Sequence, residues 1–189
     1  QRQIDRLWVV GSNEYTSKII DSSFKKFMTL FNSHLENNPF LLGDLPTSSD
    51  FAFYGQLSQL IGFEPTSRAI AHDLALRVIA WHDLMNDLSG LDVHKNSLNI
   101  LEDCPDSLKQ ILNQVGKFYV PVLLANAKAI EDGKDSLRAE VDGSVWKQKS
   151  FPYQAKCLIW IKDEFNSLND NDKKRVLDFL DGTGCENLF

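Results

Sequence analysis

Leu45-Pro46-Thr47-Ser48-Ser49-Asp50-Phe51-Ala52-Phe53-Tyr54-Gly55-Gln56-Leu57 decides how the rest of the chain is read. Thr47 stands at an N-cap position, its hydroxyl placed to accept from the backbone N–H of Asp50. The Asp50 carboxylate reaches back to the Thr47 N–H, a capping box with Asp in the usual place of Glu. Pro46 lies where a hydrophobic staple would meet Phe51, with Leu45 in support. From Ser48 to Ile61 the residues predict a helix that is apolar on more than one face. Such a helix is expected inside a domain rather than on its surface.

Working outward, the N-terminal side carries a second strong signal. Ile20, Phe24, Phe27, Phe31 and Leu35 recur at helical spacing, predicting an amphipathic helix that opens at Ser12 or Thr16 and runs to about Glu36. Asn37-Asn38-Pro39 ends it, since a proline disfavours the α conformation in the residue before it. His34, late in this helix, reads as a solvated or capping histidine that suits the helix dipole. Gln1–Val10 reads as a loose arm, or, under the family resemblance given below, as the tail of an earlier helix. The start at Gln1 rather than methionine fits a fragment and equally a processed terminus.

On the C-terminal side, Gly62 caps the helix. A further helix is predicted from about Ser67 to Leu88, with Ile70, Leu74, Val78, Trp81, Met85 and Leu88 on one stripe. His72-Asp73 and His82-Asp83 look like acid–base pairs. Neighbours on a helix diverge by about 100°, so both histidines read as solvated. Leu91–Asp103 is a polar connector. Pro105 then marks a helix start, and Gly116 and Pro121 predict a kink or a division into two helices before Gly133. Asp142-Gly143 within alternating residues predicts a β-hairpin. Phe151-Pro152 turns the chain into a helix to about Leu168, and Asn169 or Asp170 caps a last short one.

Composition narrows the classes of function. A net charge of −6, with no basic run, speaks against nucleic acid and anionic membrane surfaces. No apolar stretch reaches the length of a membrane span. Cys104, Cys157 and Cys185 form neither a disulfide framework nor a metal-binding pattern, which points to a reducing, cytoplasmic setting and no metal. The expected class is all-α, a helical bundle with a small β-hairpin insertion. The expected division is a helical core over residues 1–133, with a hairpin and helical extension over residues 134–189 packed on it.

Phe40-Leu41-Leu42-Gly43 followed by Pro46-Thr47-x-x-Asp50-Phe51-Ala52 resembles the central helix of the C-terminal, all-α domain of the glutathione S-transferase superfamily. The resemblance is specific in Phe40–Leu57, fair over residues 13–90 and weaker beyond; the hairpin departs from the family pattern. It implies half of an enzyme, with glutathione as co-substrate held mainly by a thioredoxin-like N-terminal domain of the same protein. This half would then supply an apolar substrate wall, structural support and contacts for a homodimer. The alternative is a non-catalytic interaction or scaffold module on the same fold.

No phosphate loop, nucleophile elbow, HExxH or CxxC is present, and no residue can be assigned the family's catalytic role. The candidate substrate-binding residues are Tyr153, Gln154, Cys157 and Trp160. Spacings of four and three put a phenol, a thiol and an indole on one helical face. Tyr153 and Gln154 are expected to line a cleft with Trp160 deeper in the core. Thr47 and Asp50 are expected to serve structure, as the capping box.

Overall fold

The structure is a computed structural model that describes residues 4–93 and 97–189. The first three residues of the N-terminal arm, and His94 to Asn96 of the polar connector, lie outside it. Among the described residues, eight α-helices and one two-stranded antiparallel sheet follow in the order α1 (Ser17–His34), α2 (Ser48–Leu60), α3 (Pro65–Leu74), α4 (Leu76–Met85), α5 (Asp106–Gln114), α6 (Val120–Glu131), β1 (Ser136–Val141), β2 (Ser144–Lys149), α7 (Pro152–Ser167) and α8 (Asp170–Leu180). Ile4–Val10 is a 3₁₀ turn rather than the tail of an α-helix.

The chain divides into two units: residues 1–24 with 112–189, and residues 25–111. Leu137 and Val141 of β1 share a core with Val122 and Ala129 of α6, so the hairpin packs against the helix before it.

In the unit of residues 25–111, aromatic rings fill the interior. Phe31 meets Trp81 edge-on at 5.0 Å and Phe53 edge-on at 5.7 Å, while Phe27 meets Phe53 at 5.4 Å. Helix α2 begins where the capping box predicts, but it is not an interior helix. Asp50 and Leu57 are its buried residues, and Phe51 is 52% exposed. The run predicted as one helix from Ser67 to Leu88 is two. Ala75, fully buried at φ −149° and ψ 56°, separates α3 from α4. No glycine or proline marks the break. The side chain of Asn32 accepts from the Arg77 N–H at 2.9 Å, so a residue from α1 satisfies the start of α4.

Helix α5 begins in the unit of residues 25–111, where Pro105 stands one residue ahead of it, its carbonyl accepting from Leu108. Its last residues belong to the other unit and lead into a π-helical turn, Val115–Tyr119, in which the Val120 N–H bonds back to the Val115 carbonyl. Gly116 is buried because the backbone of Thr183 and Gly184 lies against it; a Cβ there would sit 2.0 Å from the Thr183 oxygen. Pro121 falls in the first turn of α6, where its missing N–H costs nothing. The hairpin turns through Asp142 and Gly143 at φ 51° and 70°, the mirror-image turn that matches strand twist.

Candidate functional site

Asn126 fixes the corner that carries the sequence-derived site. It is fully buried in α6; its amide nitrogen donates to the Phe151 carbonyl at 2.9 Å, and its oxygen accepts from the Phe151 N–H at 2.8 Å. Both backbone groups of the residue before Pro152 are thereby satisfied, and α7 starts at a fixed place. A lone Asn in the apolar run Leu123-Leu124-Ala125-Asn126-Ala127 was the available signal, and sequence reasoning passed over it.

From that corner, Tyr153 projects 57% exposed and meets Trp160 edge-on at 6.1 Å. Trp160 is not deeper in the core: it is 47% exposed, with the Lys156 ammonium 4.9 Å from its ring centre. One helical turn plus three residues separates the two rings, so both sit on the outward side of α7 and neither reaches the interior. Gln154 is half-buried and accepts from Gln148 at 3.5 Å; Gln148 in turn accepts from the Trp146 indole at 2.7 Å. Cys157 is half-buried beside Tyr119, whose phenol is pushed above its ordinary range by burial first and by the neighbouring thiol second. The result is an aromatic surface with one amide held in place beside it.

Thr47 and Asp50 form the capping box. Asp50 Oδ2 accepts from the Thr47 N–H and from its hydroxyl, each at 2.9 Å. The second carboxylate oxygen does something the spacing did not disclose: it accepts from the Leu41 N–H at 2.9 Å. His34 is a further departure. Far from solvated, it is fully buried, 3.1 Å from the Phe40 carbonyl through Nε2 and 2.8 Å from Ser107 Oγ through Nδ1. A carbonyl only accepts, so Nε2 carries the proton and Ser107 donates to Nδ1. Burial holds this imidazole below its ordinary pKa, against smaller opposing effects of the Phe40 carbonyl and Asp50.

The backbone so anchored borders a cleft of about 420 Å³ whose lining includes Phe40, Leu84, Leu88 and Leu91 with the carboxylates of Asp44 and Asp87. That volume falls in the range of small-molecule sites. A second groove, of about 440 Å³ between α6 and β1, is lined in part by Lys128, Lys134, Arg138 and Lys147. Asp132 neutralises the first two of these at 2.9 Å each.

His82 is only partly exposed, which corrects its reading as solvated, and it stands in a Ser–His–Asp order. Nε2 lies 3.0 Å from Ser58 Oγ, and Nδ1 lies 3.5 Å from Asp83 Oδ1. The order is not a nucleophile with its base. Ser58 gives its one proton to the Tyr54 carbonyl at 2.7 Å, so toward His82 it only accepts, from Nε2–H, and has no proton to pass to the ring. The hydroxyl is spent on its own helix.

Among the described residues, no group of three or more His, Cys, Asp or Glu is placed to hold a metal ion, and no helix is long and apolar enough to cross a membrane. Comparison of the chain with protein families, with curated proteins and with solved structures finds no match.

Proposed function

We propose that this chain is the helical half of a glutathione S-transferase-like enzyme of the cytoplasm, joined in the whole protein to a thioredoxin-like domain that binds and activates glutathione. The observation that carries the reading is the outward-facing Tyr153–Trp160 pair on α7, with Gln154 held beside it. Apolar rings with one orienting amide are the make-up of a wall for a small apolar electrophile. The capping box at Thr47 and Asp50, on which the family resemblance rests, supports it. In such an enzyme the glutathione sulfur bonds to the electrophile and a leaving group departs, or the thiol reduces the substrate. The side chains of this half orient the substrate and keep water from it, and the thiolate is generated in the other half.

A second reading is a protein-interaction module, favoured by the same exposure: solvent-facing aromatic pairs also suit a protein partner. One comparison separates the two. The purified 189-residue chain is expected neither to be retained on immobilised glutathione nor to conjugate a chloronitroaromatic. The protein translated from the complete reading frame is expected to do both, with turnover reduced by Tyr153→Ala. Turnover by the chain alone, or none by the complete protein, would remove the transferase reading.

A further inference from the structure

The cleft bordered by Phe40 is built wholly from the unit of residues 25–111 and has a chemistry of its own. Among the described residues its apolar surface comes largely from Phe40, Leu84, Leu88 and Leu91, and the charged side chains lining it are Asp44 and Asp87. We propose that this cleft binds a small organic cation with an apolar body, an aromatic or alkyl amine.

Three features lead there. The wall is built in advance: the peptide joining Phe40 to Leu41 is held by buried His34 on its carbonyl and buried Asp50 on its N–H. Just beyond, Leu42 O accepts from Asn99 N–H at 2.7 Å, and Asp44 N–H donates to Ser97 O at 2.8 Å. A wall fixed at both ends does not have to be ordered when a ligand arrives.

The carboxylates are also disposed for a cation. Asp87 accepts from the Ser89 N–H at 3.0 Å, a local turn that pins its side chain where α4 ends. Its bonds to Ser89, through side chain first and backbone second, hold its carboxyl below the ordinary range, so it remains ionised. Asp44 is exposed and lines the same cleft from the loop after α1.

Charge then selects among bodies of similar size. An apolar carboxylate would meet two negative groups, a neutral molecule would gain only from burial, and an ammonium would gain from both. Glutathione, an anion, is disfavoured here, so this inference stands or falls separately from the transferase reading.

The test uses three probes with one body: 1-naphthylmethylamine, 1-naphthylmethanol and 1-naphthylacetate, titrated calorimetrically into the purified chain at pH 7 and low salt. The amine is expected to bind at least ~10-fold tighter than the alcohol and the carboxylate least, with added salt narrowing the gap. The double variant Asp44→Asn/Asp87→Asn, which changes exposed side chains without changing their shape, should bring the amine down to the alcohol and leave the alcohol unchanged. Equal binding of amine and alcohol by the parent overturns the proposal. So does an amine preference that survives in the double variant, or no binding of any probe.

Discussion

His34 and Asp50 grip the two sides of a single peptide bond: the imidazole Nε2–H donates to Phe40 O at 3.1 Å, while Asp50 Oδ1 accepts from Leu41 N–H at 2.9 Å. Both side chains are fully buried. Buried polar groups of this kind are costly when half-satisfied and rigidifying when complete. Here the two complete one another through the backbone between them, and they join the end of α1 to the start of α2.

Removing Asp50 should therefore cost more than an ordinary helix cap. Asp50→Ala withdraws the acceptor from Thr47 and strands the Leu41 N–H, in a residue only 3% exposed. The expected loss is about 2–4 kcal/mol, against about 1 for a typical cap. Thermal unfolding followed by circular dichroism should show a midpoint lower by at least ~5 °C. A melt that overlays the parent's would remove this role.

His34 should make stability depend on acidity. Its folded pKa lies below its ordinary value of 6.5, so between the two values the unfolded chain binds the extra proton. Stability then rises with pH across that window. The contribution is complete above about 6.5 and is lost as pH falls from there through the folded pKa. Denaturant midpoints at pH 7.5 and 5.5 should separate the parent from His34→Gln, whose amide can donate to Phe40 and accept from Ser107 without titrating. The parent is expected to lose about 1 kcal/mol more than the variant on acidification, the limit being about 1.4 per pH unit. Equal slopes would place the pH dependence elsewhere.

Two glycines in helical segments should respond oppositely to the same change. A Cβ on Gly116 would lie 2.0 Å from the Thr183 oxygen and 2.8 Å from Gly184, both backbone, whereas a Cβ on Gly55 meets nothing within 4 Å. Gly116→Ala is expected to destabilise by about 2–3 kcal/mol through forced separation of the C-terminal backbone from the π-helical turn. Gly55→Ala should stabilise α2 by about 0.5–1 kcal/mol by lowering the entropy of the unfolded chain. Melts of the two variants side by side, shifting in opposite directions, are the check.

Asn126→Ala strands the Phe151 N–H and leaves the Phe151 carbonyl with the Gln154 N–H alone, beside Pro152, which has no N–H of its own to offer. About 2–4 kcal/mol should be lost, and the start of α7 should loosen. Hydrogen exchange at Gln154, whose N–H bonds to the Phe151 carbonyl at 3.1 Å, should quicken more than exchange near the middle of α7. Uniform acceleration along the helix would mean that Asn126 stabilises the unit without positioning the corner.

What the residues alone determined is local. The Thr47–Asp50 box, the Asp142-Gly143 turn and the phenylalanine stripe of α1 each act within a few positions of chain, through hydrogen bonds and periodicities that need no distant partner. Those signals were enough for a helical protein with one hairpin, and for where α2 and the turn begin. Tertiary structure decided what depends on residues far apart in sequence. Ala75 breaks a helix without a breaker, the next helix being capped by Asn32 from α1; His34 is interior, its partners being a carbonyl six residues on and Ser107. Trp160 faces solvent and Asn126 holds the corner before it, although both lie in helices whose apolar patterns pointed the other way. The cleft beside Phe40 was illegible for the same reason. Its wall and Asp44 come from the loop after α1, and its floor and Asp87 from the end of α4 and the residues just beyond, and only packing brings those segments to one place.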